Sequence, residues 1–150
     1  MNDWTASGIG TWQERLAEIA FDCAAATSAE AEHLLLATRD LLAGAPGEWG
    51  RRFADLPDRA TLAALIAAGA VNTAALQLIE GRAGFMFSQA QSGCAMATVV
   101  FEGLTSEASA EGGCMVRALL GAMTAALAGP ALNLPGTQSV SAPAPMVRLN

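Results

Sequence analysis

From residue 61 to residue 150 the chain carries seven charged side chains: Glu80, Arg82, Glu102, Glu107, Glu111, Arg117 and Arg148. Ordinary soluble usage would place about twenty there. A 150-residue chain is long enough for one domain with one sizeable core. Such a domain still exposes much of its surface, and charge normally keeps that surface from sticking. A stretch this poor in charge has to be covered, either by the rest of the chain or by a partner.

Before this stretch the pattern is helical. Trp12, Leu16, Ile19 and Cys23 fall at i, i+4, i+7 and i+11, which predicts an amphipathic helix over about residues 11 to 26. Thr27 stands three residues before Glu30, the spacing of a capping box. It opens a second helix with Leu34, Leu35, Thr38, Leu41 and Leu42 inward and Gly44 and Pro46 at its end. A short amphipathic turn or helix is expected around Trp49 and Phe53. Asp58 is placed to cap a helix over 59 to 68, and Gly69 and Asn72 separate it from another over 73 to 80.

At Gly84 the period changes. Residues 85–91 and 94–102 predict two strands joined by a two-residue turn at Ser92 and Gly93. That turn sets Phe85 opposite Val100, Phe87 opposite Thr98 and Gln89 opposite Met96, with Met86, Ala95, Ala97, Val99 and Phe101 on the other face. Neither face is polar, and a hairpin alone is marginal, so cover is needed on both sides and pairing at the edges. Glycines 112 and 113 lead into a helix over 114 to 128. Met115, Leu119, Ala122, Met123 and Ala126 form one stripe of it, and Val116, Leu120 and Leu127 carry the apolar surface round the cylinder.

Residues 130–150 hold four of the six prolines and read as an extended Pro-rich arm. The expected class is α+β. A helical N-terminal half of four to five helices (11–80) and a β-hairpin packed by an apolar helix (84–128) form one domain over 1–129, with the arm after it.

The missing residue types remove chemistries. Without lysine there is no Schiff base and no phosphate-cradling lysine, and one histidine, His33, cannot build a multi-histidine metal site. A net charge of −6 opposes nucleic acid and anionic membranes. No secretory signal or membrane-length apolar run is visible, and three cysteines without framework spacing suit a reducing compartment, so a soluble, cytoplasmic protein is expected. His33 and Glu30 share a helix face, where a solvated side chain is the ordinary reading.

Over about Gly84 to Gly129, the order of hairpin, glycine pair, cysteine and apolar helix resembles sulfur-acceptor and iron–sulfur scaffold proteins. The resemblance implies a thiol-based sulfur or metal carrier using Cys94 and Cys114. The cysteine spacing departs from that pattern, and no third cysteine stands near the helix end. The short helices flanking Gly69 resemble a helix-turn-helix, but residues 72–79 contain no basic side chain to read DNA.

The expectation is a non-enzymatic interaction or assembly protein whose partner is protein, itself or a larger complex. No catalytic residue, cofactor or metal is assigned. The expected contact residues are Phe85, Phe87, Met96, Val100, Phe101, Met115, Leu120, Leu127, Met146, Val147 and Leu149. A thiol carrier using Cys94 and Cys114, and a small module binding an apolar ligand between Phe85, Phe87, Met86 and Met96, are the alternatives.

Overall fold

The computed structural model describes residues 3–102, 107–129 and 137–139. The described elements run α1 (Asp3–Ala25), α2 (Ser28–Ala43), α3 (Glu48–Arg52), α4 (Arg59–Ala67), α5 (Val71–Ile79), β1 (Gly84–Gln89), β2 (Ala95–Val100), β3 (Glu107–Gly112), α6 (Met115–Ala128) and β4 (Thr137–Ser139). The α+β class holds, with the helices gathered in the N-terminal half ahead of the sheet and last helix. α1 begins at Asp3, nine residues before the periodic stripe starts at Trp12.

The Thr27–Glu30 capping box forms as its spacing predicts. Glu30 N–H donates to Thr27 Oγ1 at 3.3 Å, and Thr27 N–H donates to a Glu30 carboxylate oxygen at 3.2 Å. Asp58 stands at the N-cap of α4 but makes no side-chain cap bond. α4 ends at Gly69, whose φ is +80°. The Gly69 N–H reaches the Ile66 carbonyl and the Ala70 N–H reaches that of Leu65, a Schellman closure. Ala70 itself then becomes the N-cap of α5, so Asn72 lies inside that helix rather than capping it.

The sheet is antiparallel throughout, in the order β1-β2-β3-β4. The hairpin connection is one residue longer than expected. Ala90 N–H donates to the Cys94 carbonyl at 2.8 Å, Gly93 N–H donates to that of Ala90, and Gly93 takes a left-handed φ of +92°. This is a three-residue loop with glycine at the left-handed position. It moves the register by one, so Phe85 faces Val99, Met86 faces Thr98, Phe87 faces Ala97 and Ser88 faces Met96. A one-residue slip changes which β1 side chains share a face with which β2 side chains.

β3 adds a third strand beyond the expected hairpin. Glu107, Ser109 and Glu111 point away from the core while Ala108 and Ala110 are buried. Part of the expected arm also joins the sheet: β4 pairs with β3 of the same chain.

α6 is the hub of the core. It packs on α1 along one side and on β2 and β3 along the other, and eleven of its residues are buried. The glycine pair lets it fold back onto the sheet: a Cβ on Gly112 would lie 2.9 Å from the Ala118 nitrogen, and one on Gly113 would lie 2.7 Å from Arg117 Nη1. An aromatic group closes one end of the core. Trp49 of α3 lies 5.9 Å from Trp12 and meets Phe101 edge-on at 5.8 Å, and Trp12 Nε1 donates to the Leu41 carbonyl at 2.8 Å.

Candidate interaction surface on the sheet

α6 lies over β2 and β3 and barely reaches β1. Every residue of β1 is consequently exposed, although β1 carries Phe85, Met86 and Phe87 in succession. Phe85 and Phe87 share the helix side with Ala97 and Val99 but overhang the edge of the helical layer. Met86 points to the opposite, outer face and is 74 % exposed.

No helix among the described residues packs on that outer face. It presents Met86, Met96 and Val100 over β1 and β2, with Glu107 and Glu111 along β3. In its middle Thr98 and Ser109 satisfy each other across the strands, Oγ1 to Oγ at 2.7 Å. The surface is therefore apolar toward the β1 edge and acidic toward β3. β1 is also the end of the strand order, and it holds no charge, proline or bulge, the usual devices that keep an edge from pairing.

The expected contact residues separate into three groups. Phe85, Phe87, Met96 and Val100 are exposed on β1 and β2, the two phenylalanines on the helix side and Met96 and Val100 on the outer face. Phe101, Leu120 and Leu127 are fully buried in the chain's own core, which corrects their assignment: Phe101 packs on Trp49 and Phe53, and the apolar circumference of α6 is consumed by α1 and the sheet and, around Val116 and Leu120, by α2 and α5. Met115 is half-buried against the same core. Met146, Val147 and Leu149 lie outside the described residues. Met86, the most exposed of the apolar residues on this surface, was absent from the contact set. Its signal was present as three large apolar residues in a row, more than one buried face of a strand accommodates.

The apolar pocket imagined between Phe85, Phe87, Met86 and Met96 does not form, because the two phenylalanines and the two methionines occupy opposite faces of the sheet.

The three cysteines are free and differ in environment. Cys94 is exposed where β2 leaves the hairpin tip. Cys114 is half-buried at the N-cap of α6, its own side chain making no cap bond. Ala95 pairs with Gly112, so both stand at one end of the sheet. Cys23 is buried, and burial together with the neighbouring Asp22 carboxylate pushes its thiol from 9.0 up to about 12, against the opposing pull of Arg117.

Two other places gather polar groups. His33 lines an open groove of about 510 Å³ with Asp22, Glu30 and apolar Ala25, Ala29 and Leu34, where Glu30 is already engaged in its capping box. A cleft of about 450 Å³ is lined by Arg51, Arg52, Arg82, Asp55, Glu80 and Glu102, three cations against three carboxylates. Arg82 there bonds to Asp55 and to the Gln77 carbonyl, and Arg52 to the Glu102 carbonyl. Among the described residues no group of three or more His, Cys, Asp or Glu side chains is placed to hold a metal ion, and no helix is long and apolar enough to cross a membrane.

No protein-family model matches the chain, and no curated protein or solved structure matches it significantly.

Proposed function

We propose that this is an interaction or assembly protein without catalytic activity that contacts protein through the β1 side of its sheet. The observation that carries this reading is β1 itself, an uncharged edge strand whose Phe85, Met86 and Phe87 are all exposed. Met96 and Val100 lie beside Met86 on the outer face, while Phe85 and Phe87 line the same edge on the helix side. Contiguous exposed apolar area of this kind marks contact sites more often than scattered single residues do. The isolated exposed Phe21 on α1 has no such neighbours among the exposed large apolar residues. A photo-cross-linking residue at Met96 tests the reading in cells: protein adducts are expected there and not at exposed Glu18 on α1. Absence of protein adducts at Met96 would dismiss it.

A second reading is favoured by one observation, the exposure of Cys94 at the hairpin tip on the same end of the sheet as Cys114. In it the protein carries sulfur or a soft metal on the Cys94 thiol. Thiol labelling of the native protein should then modify Cys94 first, and loss of persulfide or metal loading in Cys94→Ser but not in Cys23→Ser would support the carrier. Equal loading of Cys94→Ser and the unsubstituted protein would end it.

A further inference from the structure

We propose that the partner of the β1 edge is a second copy of this chain, joined by antiparallel β1–β1 pairing about a two-fold axis that sets Met86 opposite Met86. This rests on the reading of the sheet edge as a protein contact and specifies its partner and register.

The hydrogen-bonding phase of β1 follows from a single bond. Ala90 N–H donates to the Cys94 carbonyl within a register that pairs Gln89 with Ala95, so Ala90 and Cys94 are a hydrogen-bonded pair. In an antiparallel ladder such pairs alternate with pairs whose N–H and C=O groups point outward. Gly84, Met86 and Ser88 therefore spend their backbone groups on β2, while Phe85, Phe87 and Gln89 direct theirs to the edge that no strand among the described residues pairs with.

Only certain registers between two copies satisfy that phase, because outward-facing residues must meet outward-facing residues. Pairing Phe85 with Phe87 of the second copy does so twice, by symmetry. It makes four backbone hydrogen bonds, and it places Met86 against Met86 in the closely spaced, non-bonded position between them. The shift by two that also satisfies the phase would set Met86 against Ser88 and Phe85 against Gln89. The proposed register pairs aromatic with aromatic and methionine with methionine, the more favourable cross-strand set.

The layers fit as well. Phe85 and Phe87 sit on the helix side, and a two-fold axis perpendicular to the sheet puts both helical layers on one side. Four phenylalanines then fill the gap that each α6 leaves by stopping short of β1. No like charges meet, since residues 83–90 carry none. From their fractional exposures, Phe85, Met86 and Phe87 offer roughly 300 Å² of apolar side chain per copy. With the strand backbone, the two copies together approach the about 1,000 Å² at the lower end of specific interfaces, the size of a weak, reversible contact. The outer-face patch at Met96 and Val100 becomes continuous with that of the second copy.

The test uses the whole chain by light scattering at about 100 µM, where a species of twice the monomer mass is expected. Phe87→Pro removes an N–H that the chain's own sheet does not use, so it should give a monomer with an unchanged circular dichroism spectrum. In a Cys94→Ser background, Met86→Cys should form an intermolecular disulfide on mild oxidation. Ser88→Cys, which lies opposite Gly84 of the second copy, should not. A monomer at this concentration overturns self-pairing, as does a dimer indifferent to Phe87→Pro or a Ser88→Cys cross-link as efficient as that of Met86→Cys. If the protein is monomeric but a residue at Met96 still captures a different protein in cells, self-pairing falls while the interaction reading stands. If neither self-association nor capture occurs, both fall.

Discussion

Arg117 of α6 donates through Nε to the carbonyl oxygen of Cys23 at 2.9 Å, and its Nη2 reaches the Ala24 carbonyl at 2.8 Å. α1 has no basic residue in its last turn, so a cation from another helix satisfies carbonyls that a helix end leaves unpaired. One side chain thus ties the end of the first helix to the start of the last, and the absence of a side chain on Gly113 leaves it the room.

Arg117→Met should cost about 2 kcal/mol in denaturant unfolding, the range for charge-assisted bonds whose acceptors are left behind. Arg117→Lys should recover only part of this, because an ammonium cannot present the guanidinium fork to two carbonyls at once. Gly113→Ala should cost less than Arg117→Met, since its Cβ would meet Nη1, the end of a flexible side chain that can shift while Nε and Nη2 keep their carbonyls. A loss below about 0.5 kcal/mol for Arg117→Met would show that water replaces the bonds.

Cys23 makes stability depend on alkaline pH in a defined direction. Its folded-state pKa is raised from 9.0 to about 12, so the folded thiol keeps a proton that the unfolded thiol gives up. The contribution is complete below pH 9 and is lost as pH rises toward 12, at about 1.4 kcal/mol per pH unit. The chain has no lysine or tyrosine, whose titrations would otherwise crowd this window. In a Cys94→Ser, Cys114→Ser background, unfolding free energy should fall between pH 9 and 12, and adding Cys23→Ala should flatten the profile. An unchanged slope would place the loss elsewhere.

Gly121 of α6 faces both β3 and α1 at close range. A Cβ there would sit 3.1 Å from Ala110 Cβ on β3 and 3.6 Å from Cys23 Cβ on α1. Gly121→Val should destabilise by about 1–3 kcal/mol through overpacking. Gly121→Ala should be nearly neutral, as roughly 1 kcal/mol of helix propensity offsets the tight contact. Ala110→Gly should relieve part of the valine penalty, and strict additivity of the two substitutions would argue against a shared contact.

The parts of the fold written in local chemistry were legible. The Thr27–Glu30 capping box, the Gly44 stop of α2 and the apolar circumference of α6 needed no knowledge of tertiary structure. β3 was hidden because Glu, Ala and Gly are poor strand formers, although Glu107 to Glu111 alternates polar and small as a half-buried strand does. The hairpin register failed on one residue of loop length, since Ser92 and Gly93 suit a two-residue turn and equally the end of a three-residue one.

The contact residues divided for a deeper reason. Composition reports that Leu120 and Leu127 are covered, but it does not report by what, and here the cover is the chain's own helices and sheet, with Leu120 against α2 and α5 and Leu127 in the cluster that includes the sheet. Phe85 and Phe87 have the same chemistry and no such cover, a difference that depends on where α6 ends up across the strands.

The central place of α6 also fixes an order of events during synthesis. α1 is complete at Ala25, but the helix it packs against begins at Met115. At ordinary translation speeds roughly 5–20 s separate the two. Through that interval Trp12 can already reach Leu41 and Trp49, but the stripe of Trp12, Leu16 and Cys23 lacks the surface of α6, and the core closes only when α6 leaves the ribosome. The packing of α1 thus waits on a helix ninety residues further along the chain.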